Sequence, residues 1–192
     1  MGGRIYTIPM LLTVVRLFSP LVMPLLILFF WPLDQAGPHV LLVIVFVLLG
    51  LTDVLDGFLA RRFGEVTKLG QLLDPIADKF LAISSLMALF AVGAIGFFWV
   101  LILVLREIFV MALRYIACEH GGSIAVSQVS KIKTWLQLSL IVFLLSPLGI
   151  SDALSMHMVY GVLLFATMVT SLYAAYGYYM RCLDALFRTY DF

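Results

Sequence analysis

Six long apolar stretches constrain the fold of this chain more than any other feature of its sequence. A helix that spans a bilayer needs roughly 20 mostly apolar residues, and each stretch is about that long. Charged residues make up only 12% of the 192 residues, whereas an ordinary soluble domain has about 25%. So few charges could not cover the surface of a globule in water. The sequence therefore predicts an all-α, polytopic membrane protein.

The six transmembrane helices are expected in a single membrane domain that covers residues 1–192. The predicted spans are residues 8–31, 39–62, 71–92, 97–118, 130–148 and 155–183. Three connections on one side, residues 32–38, 93–96 and 149–154, contain no Lys or Arg. All 12 Lys and Arg residues lie on or near the other side. The positive-inside rule makes that side cytoplasmic, and six spans place both termini there.

The titratable residues fall into two groups by their place in the predicted spans. His39 and His157 lie at the outer ends, where interfacial side chains are expected. Other ionisable residues lie inside otherwise apolar helices, where a charge is costly and indicates function. These are Asp53, Asp56, Asp74, Asp78, Lys79, Arg106, Glu107 and Arg114. The formal net charge is +1, so no nucleic acid partner is expected.

Four of these residues are aspartates near the cytoplasmic ends of two consecutive helices. Asp53 and Asp56 are three residues apart, and Asp74 and Asp78 are four apart, so each pair shares a helix face. Four carboxylates at one depth require cations or protons. Oxygen ligands suit Mg²⁺, Mn²⁺ or Ca²⁺, and two such ions would make a phosphoryl-transfer site. The alternative interpretation is a set of buried ion pairs with nearby arginines.

Small residues accompany the aspartates. Gly57 follows Asp56 directly, Gly70 precedes Asp74 by four residues, and Ala60 lies one turn beyond Asp56. A glycine allows a ligand to approach the helix backbone closely. Gly57 alone is equally consistent with helix packing in a membrane.

The aspartates and small residues together form a long, specific pattern. It is the run Asp53-Val54-Leu55-Asp56-Gly57-Phe58-Leu59-Ala60-Arg61, followed after eight residues by Gly70, then Asp74 and Asp78. The pattern resembles the signature of the CDP-alcohol phosphatidyltransferases, D-x2-D-G-x2-A-R-x8-G-x3-D-x3-D, at every fixed position. Members of that family are six-helix membrane enzymes, commonly dimeric, that move a phosphatidyl group from a CDP-linked lipid to an alcohol and release CMP.

The resemblance implies roles for individual residues. It implies that Asp53, Asp56, Asp74 and Asp78 hold two ions of Mg²⁺ or Mn²⁺, and that Asp78 is the general base for the acceptor hydroxyl. It further implies a CDP-binding pocket formed by Gly57, Ala60, Arg61 and Gly70.

A second polar group is basic. Arg106 and Arg114 lie two turns apart on the fourth helix, and Lys131 and Lys133 lie at the start of the fifth. Buried basic groups favour an anion, and a phosphate on the acceptor alcohol is the simplest candidate. The lysines could instead be positive-inside anchors. The arginines could instead pair with Glu107 or an aspartate, and Glu107 is expected to orient an arginine.

Further segments resemble one bacterial branch of the family, whose acceptor is sn-glycerol 3-phosphate. They include Leu105-Arg106-Glu107-Ile108, Lys131-Ile132-Lys133-Thr134 and the N-terminal Ile8-Pro9-Met10-Leu11-Leu12-Thr13-Val14-Val15-Arg16. This resemblance implies CDP-diacylglycerol as the donor, a place in phospholipid biosynthesis, and an inner-membrane location with the active site on the cytoplasmic side. It also implies that Thr13 and Arg16 line the site.

Two alternative functions follow from the same residues. The chemistry could be retained with another acceptor, namely inositol phosphate, serine or phosphatidylglycerol. A divalent-cation transporter would use the carboxylates for permeation, but it predicts acids near the midplane and polar residues leading outward. The sequence has neither, because its acids cluster at one end of the helices and the outer halves are apolar.

Overall fold

The structure is a computed structural model that describes residues 7–33, 35–63, 68–119, 128–149 and 153–189, and side chains within 18–33, 35–51, 79–113, 115, 128–149 and 153–183. The described residues form α-helices and one short 3₁₀ turn, with no strand among them. The helices are α1 (Thr7–Phe30), α2 (Ala36–Phe63), α3 (Lys68–Ala91), α4 (Phe97–Glu119), α5 (Gln128–Leu145) and α6 (Leu154–Thr189). The predicted all-α class and the six helices are confirmed.

The observed helix ends lie within about three residues of the predicted ones, except at the end of α6. Helix α2 begins before Pro38 because a proline in the first turn lacks an N–H that would have no intrahelical partner there. Helix α6 continues to Thr189, six residues beyond the predicted span, whose end matches that of the apolar segment Leu154–Leu183. The added residues contain no Gly or Pro to stop the helix.

The described chain divides into two compact units. Unit 1 comprises Met1–Ala94 and Ile141–Ile150, and unit 2 comprises Ile95–Leu140 and Ser151–Phe192. In unit 1, α1 packs against both α2 and α3. On each of these three helices the buried side chains recur at three- or four-residue spacing, as expected for the packed face of a helix. They include Met23, Ile27, Leu42, Phe46, Leu86 and Leu89.

Two glycines are required by tight turns in unit 1. Gly93, just after α3, has a φ of 80°, a conformation that glycine adopts without steric cost. Gly149 follows α5, and a Cβ there would lie 2.6 Å from the Phe143 carbonyl oxygen. Both connections therefore need a residue without a side chain.

Unit 2 is built on the packing of α4 against α6. A buried cluster joins the two helices, formed by Val110, Leu113, Ala175, Tyr178 and Cys182. The Cys182 thiol is free and lies 3.9 Å from the Leu113 carbonyl oxygen. The apolar cluster packs α6 against the part of α4 that follows Arg106.

Large apolar side chains cover much of the outer surface of both units. Phe29, Phe98 and Phe165 are each at least 68% exposed, and Leu25 and Val162 are similar. Apolar surface of this extent is uncommon on soluble monomers. One described segment, Leu154–Leu183, is long and apolar enough to cross a membrane by length and composition. Both features are consistent with a membrane protein.

His39 lies inside unit 1 and not at a surface. The residue is 1% exposed, so its side chain packs among the helices of unit 1, and its interfacial depth in the membrane stays a prediction. Nδ1 lies 3.2 Å from the carbonyl oxygen of Leu145, the last residue of α5. Because a carbonyl only accepts, Nδ1 must carry the proton. The contact satisfies a helix-terminal carbonyl that has no intrahelical partner, and Trp31 packs edge-on against the imidazole at 5.1 Å.

His39→Ala should lower the free energy of unfolding by about 1–3 kcal/mol, because it removes a buried hydrogen bond and leaves a cavity beside Trp31. Denaturant or thermal unfolding in detergent micelles measures the change. His157→Ala is the matched control, since His157 is exposed and its Nδ1 contacts Ala153 beside its own helix. Equal losses in the two variants would contradict the assigned role of His39.

Candidate functional site

The four predicted metal ligands lie on two consecutive helices of unit 1. Asp53 lies ten residues before the end of α2, and Asp78 lies ten residues after the start of α3. Both positions are therefore about 15 Å from the connection between the helices, at 1.5 Å rise per residue. Asp56 and Asp74 lie closer to the same connection. The backbone thus places the two aspartate pairs at similar distances from the end of α2 and from the start of α3.

Helix α1 is the common packing partner of the two aspartate-bearing helices. It packs against α2 and α3, which contact each other more sparsely. Because a short turn joins α1 to α2 and the two helices pack together, they run antiparallel. The start of α1 therefore lies at the same end of unit 1 as the end of α2. Thr13 and Arg16 lie in this first part of α1, and their place beside the aspartates stays a prediction.

The side chains of the predicted metal and nucleotide site lie outside the described residues. This applies to Asp53, Asp56, Asp74, Asp78, Gly57, Ala60, Arg61, Gly70, Thr13 and Arg16. Among the side chains that the structure describes, no group of three His, Cys, Asp or Glu could hold a metal ion. The roles implied for these residues stay predictions. The structure shows that they lie on helices α1, α2 and α3.

The second predicted cluster is described in more detail, within unit 2. Arg106 on α4 is 6% exposed and Lys133 on α5 is 4% exposed. Both contact the same carboxylate oxygen of buried Glu107, Arg106 through Nη1 at 2.9 Å and Lys133 through Nζ. Buried charges need such partners because desolvation is costly. Glu107 therefore holds cations from two helices, which agrees with its predicted orienting role.

Helix α6 supplies another partner that the sequence did not indicate. The Arg106 Nε donates to the backbone carbonyl of Ser171 at 2.9 Å. Ser171 is itself 1% exposed. The sequence feature that could have indicated this contact is a hydroxyl residue in an apolar helix. Thr167 and Thr170 share that feature, yet their hydroxyls bond to carbonyls of their own helix. Sequence alone could not separate Ser171 from these two residues.

The other two members of the predicted basic cluster differ from Arg106 and Lys133. Lys131 is exposed at the start of α5. Arg114 lies on α4 two turns after Arg106, and its side chain is outside the described residues. The structure therefore brings Arg106 and Lys133 together through Glu107, and it does not bring Lys131 into that buried group.

With this arrangement established, the family of the chain can be identified. The model of the CDP-alcohol phosphatidyltransferase family matches residues 6–173. The match includes α1 to α5 in full and much of α6. The chain belongs to the CDP-alcohol phosphatidyltransferase family.

Similar proteins within the family share one name, CDP-diacylglycerol–glycerol-3-phosphate 3-phosphatidyltransferase. The protein of this name from Sodalis glossinidius is 37% identical over 173 residues, which cover 85% of this chain and 93% of its own. That from Rickettsia felis is 30% identical over 176 residues, covering 91% and 94%. That from Wigglesworthia glossinidia brevipalpis is 36% identical over 140 residues, covering 69% and 75%. The similarity therefore extends over most of both chains and is not confined to the aspartate motif.

Proposed function

We propose that this protein transfers the phosphatidyl group of CDP-diacylglycerol to sn-glycerol 3-phosphate. The products are phosphatidylglycerophosphate and CMP, which makes the protein a phosphatidylglycerophosphate synthase of phospholipid biosynthesis. The observation that carries the proposal is the similarity over most of both chains to relatives with that activity in their names. The residues implied for the chemistry support it, because the aspartate signature is complete.

The reaction needs one new bond, one broken bond and one proton transfer. The hydroxyl oxygen at carbon 1 of glycerol 3-phosphate attacks the phosphorus on the diacylglycerol side of the donor. The bond from that phosphorus to the bridging pyrophosphate oxygen breaks, and CMP leaves with that oxygen. The Asp78 carboxylate accepts the hydroxyl proton. A carboxylate is a weak base at neutral pH, and a loose phosphoryl-transfer transition state would reduce the demand on it.

Two divalent cations, Mg²⁺ or Mn²⁺, fit the donor set of Asp53, Asp56, Asp74 and Asp78. All four ligands are hard carboxylate oxygens, as these ions prefer. Their i, i+3 and i, i+4 spacing holds each pair on one face of its helix. When bound, the ions would neutralise the charge of the pyrophosphate and of the departing CMP. Gly57, Ala60, Arg61 and Gly70 would form the CDP pocket, with Thr13 and Arg16 beside it.

Removal of divalent cations tests this assignment of the carboxylates. Dialysis against EDTA should abolish CMP release, because four unneutralised carboxylates would repel the pyrophosphate. Addition of Mg²⁺ or Mn²⁺ should restore CMP release. CMP release that persists at full rate after chelation would contradict the metal site.

The acceptor phosphate would bind to Arg106, Arg114, Lys131 and Lys133. Support comes from the buried pair Arg106 and Lys133, in which two cations share one carboxylate. A guanidinium can bind a phosphate through two parallel hydrogen bonds. The exposed Lys131 would contribute mainly long-range attraction.

We further infer six membrane-spanning helices, both termini in the cytoplasm, and one membrane domain over residues 1–192. The distribution of Lys and Arg supports this orientation, which would place the active site on the cytoplasmic side of a bacterial inner membrane. The family resemblance supports a homodimer. Accessibility of single introduced cysteines to a membrane-impermeant reagent would test the orientation, and sedimentation in detergent would test the dimer.

A panel of acceptors tests the proposed function directly. The purified protein in CDP-diacylglycerol micelles should release CMP with sn-glycerol 3-phosphate and little with inositol phosphate, serine or phosphatidylglycerol, because the basic cluster would recognise a small phosphate monoester. Thin-layer chromatography of the lipid product provides an independent measurement. A clear preference for another acceptor would contradict the assigned substrate while retaining the reaction class.

Asp78→Asn should reduce the turnover number by at least about 10²-fold, because general-base catalysis typically contributes that much. The protein should remain folded, since the change is nearly isosteric. Ser84→Ala is the control on the same helix, because its hydroxyl only bonds to the Leu81 carbonyl of α3. Wild-type turnover in Asp78→Asn would exclude Asp78 as the base.

A further inference from the structure

Among the described residues, two contacts hold the Arg106 guanidinium, and its Nη2 has no partner. Nε donates to the Ser171 carbonyl and Nη1 donates to Glu107 Oε1, each at 2.9 Å. These two bonds fix the plane and the rotation of the guanidinium. Nη2 is buried and has no hydrogen-bond partner in the part of the chain that the structure describes. A buried donor without a partner is rare and costly in a folded protein.

A second buried polar atom without a partner belongs to the residue that holds Arg106. The Ser171 hydroxyl oxygen is buried and has no partner among the described side chains and backbone, while the Ser171 carbonyl accepts from Arg106 Nε. Its neighbours on α6 behave differently, because Thr167 and Thr170 donate to carbonyls of their own helix. Arg106 and Ser171, which are joined by the bond from Nε to the Ser171 carbonyl, thus each leave one donor unused.

Glu107 determines how the two cations of this site are spaced. Its carboxylate contacts Arg106 and Lys133 together, and all three side chains are almost inaccessible. Without the negative charge, two cations at this separation in a low-dielectric environment would repel each other. They would then move apart, and Arg106 would lose the contact that orients Nη1.

We propose that Glu107 is a positioning residue that fixes Arg106 so that Arg106 Nη2 and the Ser171 hydroxyl together bind one oxygen of the acceptor's phosphate. The inference rests on the proposed function and extends it to two residues, Glu107 and Ser171, that act on the acceptor and not on the donor lipid. Both unused groups can donate, and a phosphate oxygen accepts, so the chemistry is complementary. A hydrogen bond formed there is strong because water is excluded.

The first test substitutes Glu107. Glu107→Gln should raise the KM for sn-glycerol 3-phosphate by about tenfold or more, as expected when charge-assisted contacts lose their orientation. The KM for CDP-diacylglycerol should change little. Glu107→Asp should restore part of the affinity, because it retains the charge with a shorter reach. A lower KM for the acceptor in Glu107→Gln would overturn the proposal, since Glu107 would then compete with the phosphate. Equal changes in both KM values would also overturn it, as a purely structural effect.

The second test removes the Ser171 hydroxyl. Ser171→Ala should leave the melting temperature of the ligand-free protein unchanged or higher, because a buried hydroxyl without a partner contributes no stability. The same variant should raise the KM for sn-glycerol 3-phosphate by about fivefold, the loss expected for one hydrogen bond. The control is Thr167→Val, a change at a buried residue of α6 whose hydroxyl bonds to Leu163. An unchanged acceptor KM in Ser171→Ala would exclude the hydroxyl as a ligand contact.

A binding measurement separates this inference from the proposed function. The shift in melting temperature caused by sn-glycerol 3-phosphate, and by inorganic phosphate as a second probe, requires no turnover. Both probes should stabilise the wild type and the Thr167→Val control more than Glu107→Gln or Ser171→Ala. This pattern in a protein that releases no CMP would support the anion site while rejecting the activity. Equal shifts in all four proteins would reject the site even if the activity is present.

Discussion

A charge surrounded by apolar side chains must have a partner, and this requirement organises the polar interior of the protein. With 12% charged residues, few ionisable groups are available, and each buried one is expensive. In unit 2 the requirement is met by the contacts of Glu107 with Arg106 and Lys133. The same contacts tie α4 to α5, and the Arg106 bond to Ser171 ties α4 to α6. The polar cluster therefore joins α4, α5 and α6 through contacts between particular atoms, which apolar packing alone does not require.

The apolar residues divide between a packed interior and an extensive outer surface. The interior residues recur with helical spacing, as Met23 and Ile27 do on α1. The outer surface carries equally large side chains, including Phe29 and Phe165. In lipid, such an outer surface costs nothing, and helix association depends on close packing and on polar contacts. Hydrogen bonds and ion pairs between helices, such as His39 with Leu145 and Arg106 with Ser171, therefore gain importance relative to a soluble fold.

The proposed chemistry uses the same scarcity of charge in two different ways. In unit 1, the proposed aspartate site of α2 and α3 would need cations before an anionic nucleotide could bind. The basic cluster of unit 2 contains its own carboxylate, so part of its charge is neutralised internally. Glu107 thereby allows two cations to remain buried without a ligand. Arg106 Nη2 and the Ser171 hydroxyl, which have no hydrogen-bond partner among the described residues, are the groups that we propose would bind a small anion.

The sequence by itself determined the helices and the family, because both depend on local spacing. Apolar length predicted six helices, with ends displaced by only a few residues except at α6, and the spacing from Asp53 to Asp78 indicated the family that the comparisons confirm. Only the tertiary structure decided which side chains meet. Several partners for Arg106 were open, and the structure selected Glu107 and added Ser171, while His39 proved to be buried. Such pairings depend on how each helix is rotated against its neighbours, and a periodic pattern within one helix does not contain that rotation.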